Sequence, residues 1–149
     1  MNDIKAGRFL LDEYDFVIGP DLTLETFKTM ALVISAHSES DGYSSFSFEG
    51  SIAGTSMEFF ISFHSGKIRL VGFFPKLGEN KEDWSEVPSE NQKEFLDLWL
   101  LEHAGTSPSE FDWGTIAVER DIKNSEYGII IVYKAEPQAL AEATKDPLQ

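Results

Sequence analysis

The chain has 149 residues, with 26 Asp and Glu against 12 Lys and Arg, a formal net charge of −14 and no Cys. That length is one domain's worth, and 42% apolar content with 12 Phe can build a core, which argues against wholesale disorder. The acidity argues against nucleic acid and against an anionic membrane surface, and the missing Cys removes disulfides, thiolate metal centres and thiol catalysis. Met1 to Gly7 carries no apolar signal core, and no apolar run is long enough to span a bilayer. The expectation is a soluble cytoplasmic protein of one domain over residues 1–149, with residues 1–7 and 135–149 peripheral.

In chain order, Arg8 to Asp12 and Tyr14 to Ile18 are short apolar runs around an acidic pair, expected as one irregular strand or two. Leu22 to Phe27 reads as a helix start, with Thr23 as cap and Glu25 in the first turn, the helix ending near Val33. Ser38 to Gly42 reads as a polar turn. Phe46 and Phe48 alternate with Ser45, Ser47 and Glu49. Met57, Phe59, Ile61 and Phe63 alternate with Glu58, Phe60, Ser62 and His64. This period of two, broken at Gly54 and at Gly66, predicts an antiparallel meander that continues from Ile68 to Phe73.

Pro75 to Pro88 reads as an acidic loop. Ser89 and Gln92 have capping-box spacing and open a predicted helix from about Glu90 to Ala104, with Phe95, Leu96, Leu98, Trp99 and Leu101 as its apolar face. Gly105 and Pro108 stop it. A last hairpin follows, Trp113 to Val118 and Tyr127 to Tyr133, its second strand β-branched and so expected to be central and covered on both faces. The predicted fold is α+β: a mostly antiparallel sheet of about five to six strands with two main helices packed on one face.

Glycine-rich phosphate loops and the serine nucleophile elbow are missing from the sequence. His37, His64 and His103 are far apart and show no metal-ligand spacing; a strand-to-turn position explains His64 and a helix end explains His103 better than metal ligation, and no cofactor or metal is expected. Carboxylates are the abundant resource. From Glu79 to Glu126 there are 13 acids and four bases, a net of −9, so about two thirds of the charge lies in about one third of the chain. Trp84 and Trp113 lie in the loops of this stretch, and Trp beside carboxylates is the composition of an interface anchor inside a steering field. The candidate partner-binding residues are Glu79, Glu82, Asp83, Trp84, Glu86, Glu110, Asp112, Trp113, Glu119 and Asp121. The plainer alternative is a solvated acidic surface with both Trp rings closing the core.

Trp84-Ser85-Glu86, Lys93, Asp97-Leu98-Trp99-Leu100 with Glu102 and Gly105, Pro108, Trp113-Gly114-Thr115-Ile116, Asp121-Ile122-Lys123 and Ile129 to Tyr133 form one pattern. Over residues 20–134 it resembles a group of small bacterial proteins, several of them immunity proteins encoded beside polymorphic or contact-dependent toxins. The resemblance implies a non-enzymatic inhibitor of a cognate, basic, nuclease-like toxin domain, and brings no catalytic residues with it. Two other readings stay open: a binding or regulatory module of a larger assembly, and a small hydrolase with paired carboxylates. A homodimer through a hairpin edge is compatible with all three.

Overall fold

Three two-residue turns set the frame. Asp41-Gly42, Ala53-Gly54 and Ser65-Gly66 all have positive φ at both positions, 53° and 83°, 50° and 82°, and 52° and 83°. This is the backbone of type I′ hairpin turns, whose twist matches that of the strands they join. The computed structural model describes residues 6–14, 17–30, 34–75, 88–121 and 126–134. In it the turns connect strands β3 (Ile34–Ser40), β4 (Tyr43–Ile52), β5 (Thr55–His64) and β6 (Lys67–Pro75) into one meander. A second meander follows, of β7 (Ser109–Phe111), β8 (Gly114–Asp121) and β9 (Glu126–Tyr133). Strand β9 pairs antiparallel with β6, which joins the two into a seven-stranded sheet of order β3-β4-β5-β6-β9-β8-β7. A separate ribbon, β1 (Phe9–Leu10) and β2 (Val17–Ile18), and two helices, α1 (Leu24–Lys28) and α2 (Ser89–Trp99), complete the described elements.

The α+β expectation of about five to six strands and two main helices is therefore corrected. The protein is mostly β, with nine strands among the described residues, while α1 is a helix of only 5 residues and α2 of 11. The two unforeseen strands are the sheet's edges. All seven residues of β3 are exposed, so Ile34 to Ser40 shows no alternation, and its second half falls where a turn was expected. Strand β7 has only three residues and sits one residue after Pro108. Strand β9 is central, as expected, but is not covered on both faces: Ile129 and Ile131 are buried, whereas Val132 is 41% exposed.

The inner face of the sheet is an aromatic core. Phe48, Phe59 and Phe73 stand opposite one another across β4, β5 and β6, and all three are fully buried. Phe48 stacks on Phe59 at 5.3 Å, and Phe9 of the ribbon lies over Phe59 and Phe73 at 6.4 and 5.1 Å. Helix α1 starts as expected, with the Thr23 hydroxyl accepting from Thr26 N–H at 3.2 Å, and it places Phe27 against Phe46, Phe48 and Phe63. The ribbon is tied down by its own acids. Asp12 accepts from the N–H groups of Ala53 and Gly54 at 3.1 and 2.8 Å, and Glu13 from Ser51 N–H at 2.9 Å. These bonds hold a turn in which a non-glycine residue adopts positive φ, a conformation that costs energy by itself.

Helix α2 differs from its expectation at both ends. Pro88 occupies the N-cap position without a side-chain bond, which places Ser89 inside the helix and not at the cap expected for it; buried Gln92 Oε1 accepts from Tyr127 N–H of β9 at 2.7 Å. Beyond Trp99 the helix loosens into a π-helical turn, Leu100–Ala104, closed by Gly105 at φ 69°. The buried stripe is Gln92, Leu96, Trp99 and Leu100, while Leu98 and Leu101 are 57% and 55% exposed. Trp99 meets Phe73 and donates its indole N–H to Thr55 Oγ1 at 3.1 Å, so this face fastens α2 to the core side of the sheet.

Tyr133 closes the opposite end. Its buried hydroxyl donates to the Gly7 carbonyl at 2.8 Å. Burial pushes its pKa well above that of an exposed phenol, with nearby Arg8 opposing and Asp21 adding to the rise. Because the folded value is the higher one, the unfolded chain ionises first, at about pH 10. The associated stability is present below that pH and is lost as pH climbs toward the folded value. The urea midpoint is expected to fall more steeply above about pH 10 in the wild type than in Tyr133→Phe, which at neutral pH loses about 1 kcal/mol with the hydrogen bond. Equal slopes for the two proteins would show that Tyr133 does not govern the alkaline limb.

Candidate functional site

Everything described so far packs on one face of the sheet. On the other face the register places three cross-strand rows. Ser45, Ser62, Leu70, Val132 and Thr115 form the first, and Ser47, Phe60, Gly72, Ile130 and Ala117 the second. In the third, Glu49 faces Glu58 and Glu58 faces Phe74, with Glu119 opposite Gly128 on the far side. None of the described helices or ribbon strands covers this face.

Two glycines give it relief. A Cβ at Gly128 would lie 2.4 Å from the Phe74 ring, and a Cβ at Gly72 would lie 3.2 Å from the same ring. The ring therefore lies down over two positions without side chains, as aromatic residues do beside strand glycines. The result is a groove of about 500 Å³ with an apolar floor that includes Phe60, Leu70, Phe74 and Ile130. Glu58, Glu119, Arg120, Glu126 and Ser47 also line it. Phe60 remains 37% exposed. That volume lies within the range of ligand-sized pockets, and an aromatic floor with convergent polar groups is the usual make-up of a binding site.

The residues singled out from the sequence fall in three places. Glu79, Glu82, Asp83, Trp84 and Glu86 lie outside the described residues. Glu110 on β7 and Asp112 in the β7–β8 turn are both exposed, beside Trp113 in the same turn. Glu119 stands near the other end of β8, about 20 Å along the strand by its rise per residue. There Asp121 is paired in register with Glu126. Of the singled-out residues whose side chains are described, Glu110, Asp112, Trp113 and Glu119, only Glu119 lines the groove.

Trp113 is half-buried and structurally engaged. It stacks on Phe111 at 5.4 Å, meets Tyr133 at 5.5 Å, and lies so close over Gly7 that a Cβ there would come within 2.8 Å of the indole. The histidines have packing partners as well. His37 stacks on Phe46 at 4.5 Å, His64 meets Tyr43 at 4.4 Å, and His103 meets Trp99 at 5.0 Å. Among the described residues no group of three or more His, Asp or Glu could hold a metal ion, and no helix is long and apolar enough to cross a membrane.

Sequence reasoning missed Glu58, Phe60, Leu70, Gly72, Phe74 and Gly128. Two signals pointed at them. Phe60 and Phe74 are aromatic at positions of polar parity, and Gly72 and Gly128 interrupt strands, which marks a close approach rather than a turn.

No family model matches the chain, and no curated protein matches it. Among solved structures it is similar to a chain in "Rhs1-CT in complex with cognate immunity protein RhsI1". The TM-score is 0.63 at 16% identity, with 99% of this chain and 97% of that chain covered. At that identity the likeness is one of fold, and it extends over essentially the whole of both chains.

Proposed function

We propose that this chain is an immunity protein: a non-enzymatic inhibitor that binds and neutralises a cognate toxin domain, itself basic and nuclease-like. The observation that carries the reading is the full-length likeness of fold to a chain of a toxin–immunity complex. The open sheet face, apolar in its floor and carboxylate-lined at its rim, supports it as a surface for a protein partner. The two carboxylates that face each other, Glu49 and Glu58, both stand exposed on an open sheet rather than in a closed cleft, which does not favour hydrolysis.

The basic character of the toxin follows from charge. An enzyme acting on a polyanion carries a basic surface, and a net charge of −14 on the inhibitor draws such a surface in. Glu119 would act at the groove. Glu110, Asp112 and Asp121 would extend the field along β8, with Trp113 as an anchor beside them. Glu79, Glu82, Asp83, Trp84 and Glu86 would add to it from the preceding stretch. Inhibition of this kind needs no chemistry, only fast encounter and slow release.

The test uses the protein encoded beside this gene. It is expected to be retained by the chain, and co-expression is expected to protect cells from it. The association rate should fall at least about tenfold from low to high salt, as steered encounters do. A retained protein without protection would turn the reading toward a regulatory module, and a salt-independent rate would remove the basic toxin from it.

A further inference from the structure

The groove has a composition that simple solubility does not explain. The half-buried Phe74 ring lies against the bare backbone of Gly128 and Gly72 and lines the groove. An aromatic face attracts cations through its quadrupole. Glu58 precedes Phe74 in the cross-strand row and Glu119 follows it beyond Gly128, so the two carboxylates flank the ring, about 14 Å apart by three strand spacings. Among the described residues no cation pairs with either of them. Among the described residues that line the groove, Arg120 is the only cation, against Glu58, Glu119 and Glu126.

Glu49 faces Glu58 across the ladder and adds a further carboxylate beside the groove. Leu70 and Ile130 meanwhile provide apolar surface beside the ring, suited to the methylene stem of a long basic side chain.

We propose that the groove receives an arginine side chain of the partner protein, its guanidinium over the Phe74 ring and its charge met by Glu58 or Glu119. Arginine is the better occupant than lysine because its planar group stacks on a ring while its N–H fork still reaches a carboxylate beside it. The inference rests on the immunity reading for the partner's identity alone; the chemistry of the groove is independent of it.

The experiment is a site-resolved NMR titration of the full chain with N-acetyl-arginine amide, and with N-acetyl-citrulline amide as its uncharged isostere. The arginine compound is expected to shift the amides of Phe60, Phe74 and Ile130, and to bind at least about fivefold more tightly than citrulline, the ratio of a modest cation–π contact. In the double variant Glu58→Gln, Glu119→Gln, whose own spectrum reports its fold, the arginine response should fall to the citrulline level. Equal responses to both compounds would overturn the proposal and make the groove a site for neutral molecules. So would shifts spread over the acidic surface without the groove, or no shift at all. Retention of the protein encoded beside the gene is measured separately. A groove that selects arginine while no toxin is retained defeats only the immunity reading, and a retained toxin with an indifferent groove defeats only this inference.

Discussion

Gly114→Ala is expected to destabilise the protein by about 3 kcal/mol or more, a fall in melting temperature on the order of 10 °C for a chain of this length. Gly114 has φ 154°, and a Cβ there would lie 1.9 Å from the Val132 carbonyl oxygen and 3.0 Å from the Tyr133 Cα. Both atoms belong to backbone, and no side-chain rotation relieves the collision. The strand must move, and with it the pairing of Gly114 with Tyr133 and of Thr115 with Val132. Gly54→Ala separates the collision from conformational preference. Its φ is also positive, 82°, but a Cβ there meets nothing within 4 Å, so a loss of only about 1 kcal/mol is expected. Thermal unfolding of the two variants checks this. Equal losses would mean that φ alone, not the contact with β9, explains Gly114.

The second large effect is a coupling. Gly128→Ala is expected to cost about 1–3 kcal/mol, because its Cβ would enter the Phe74 ring at 2.4 Å and force it off the sheet. Phe74→Ala also destabilises, through lost apolar contact. Together they should cost less than the sum by about 1 kcal/mol or more, since the collision vanishes with the ring. Urea unfolding of the four proteins closes the cycle. Strict additivity would show that the ring does not depend on the bare backbone beneath it.

Much of the meander was legible from parity. Phe46, Phe48, Met57, Phe59, Ile61 and Phe63 were assigned to one side of their strands, and all are buried. The Thr23 cap was legible as well, because it depends on a local hydrogen bond. What escaped depends on neighbours distant in sequence. Strand β3 is held by backbone bonds to β4 and buries no side chain, so it leaves no trace in hydropathy. Gln92 had the spacing of a capping residue, yet its amide reaches a strand 35 positions away. The groove is assembled from β4, β5, β6, β8 and β9, and no local window contains it. The acidic stretch drew attention by charge density, although among its described side chains only Glu119 of those singled out lines that groove.

The two meanders are stitched together through β6 and β9 by four register pairs, Leu70 to Phe73 against Ile129 to Val132, whereas β4 and β5 share ten. The groove lies across this join, with Leu70, Gly72 and Phe74 on one side and Ile130 on the other. A partner seated there would act as a splint over the shortest of the long seams. By linkage, occupancy would raise the free energy of separating the halves. Proteases that cut the transiently opened chain would then spare the complex and clear the unoccupied protein first.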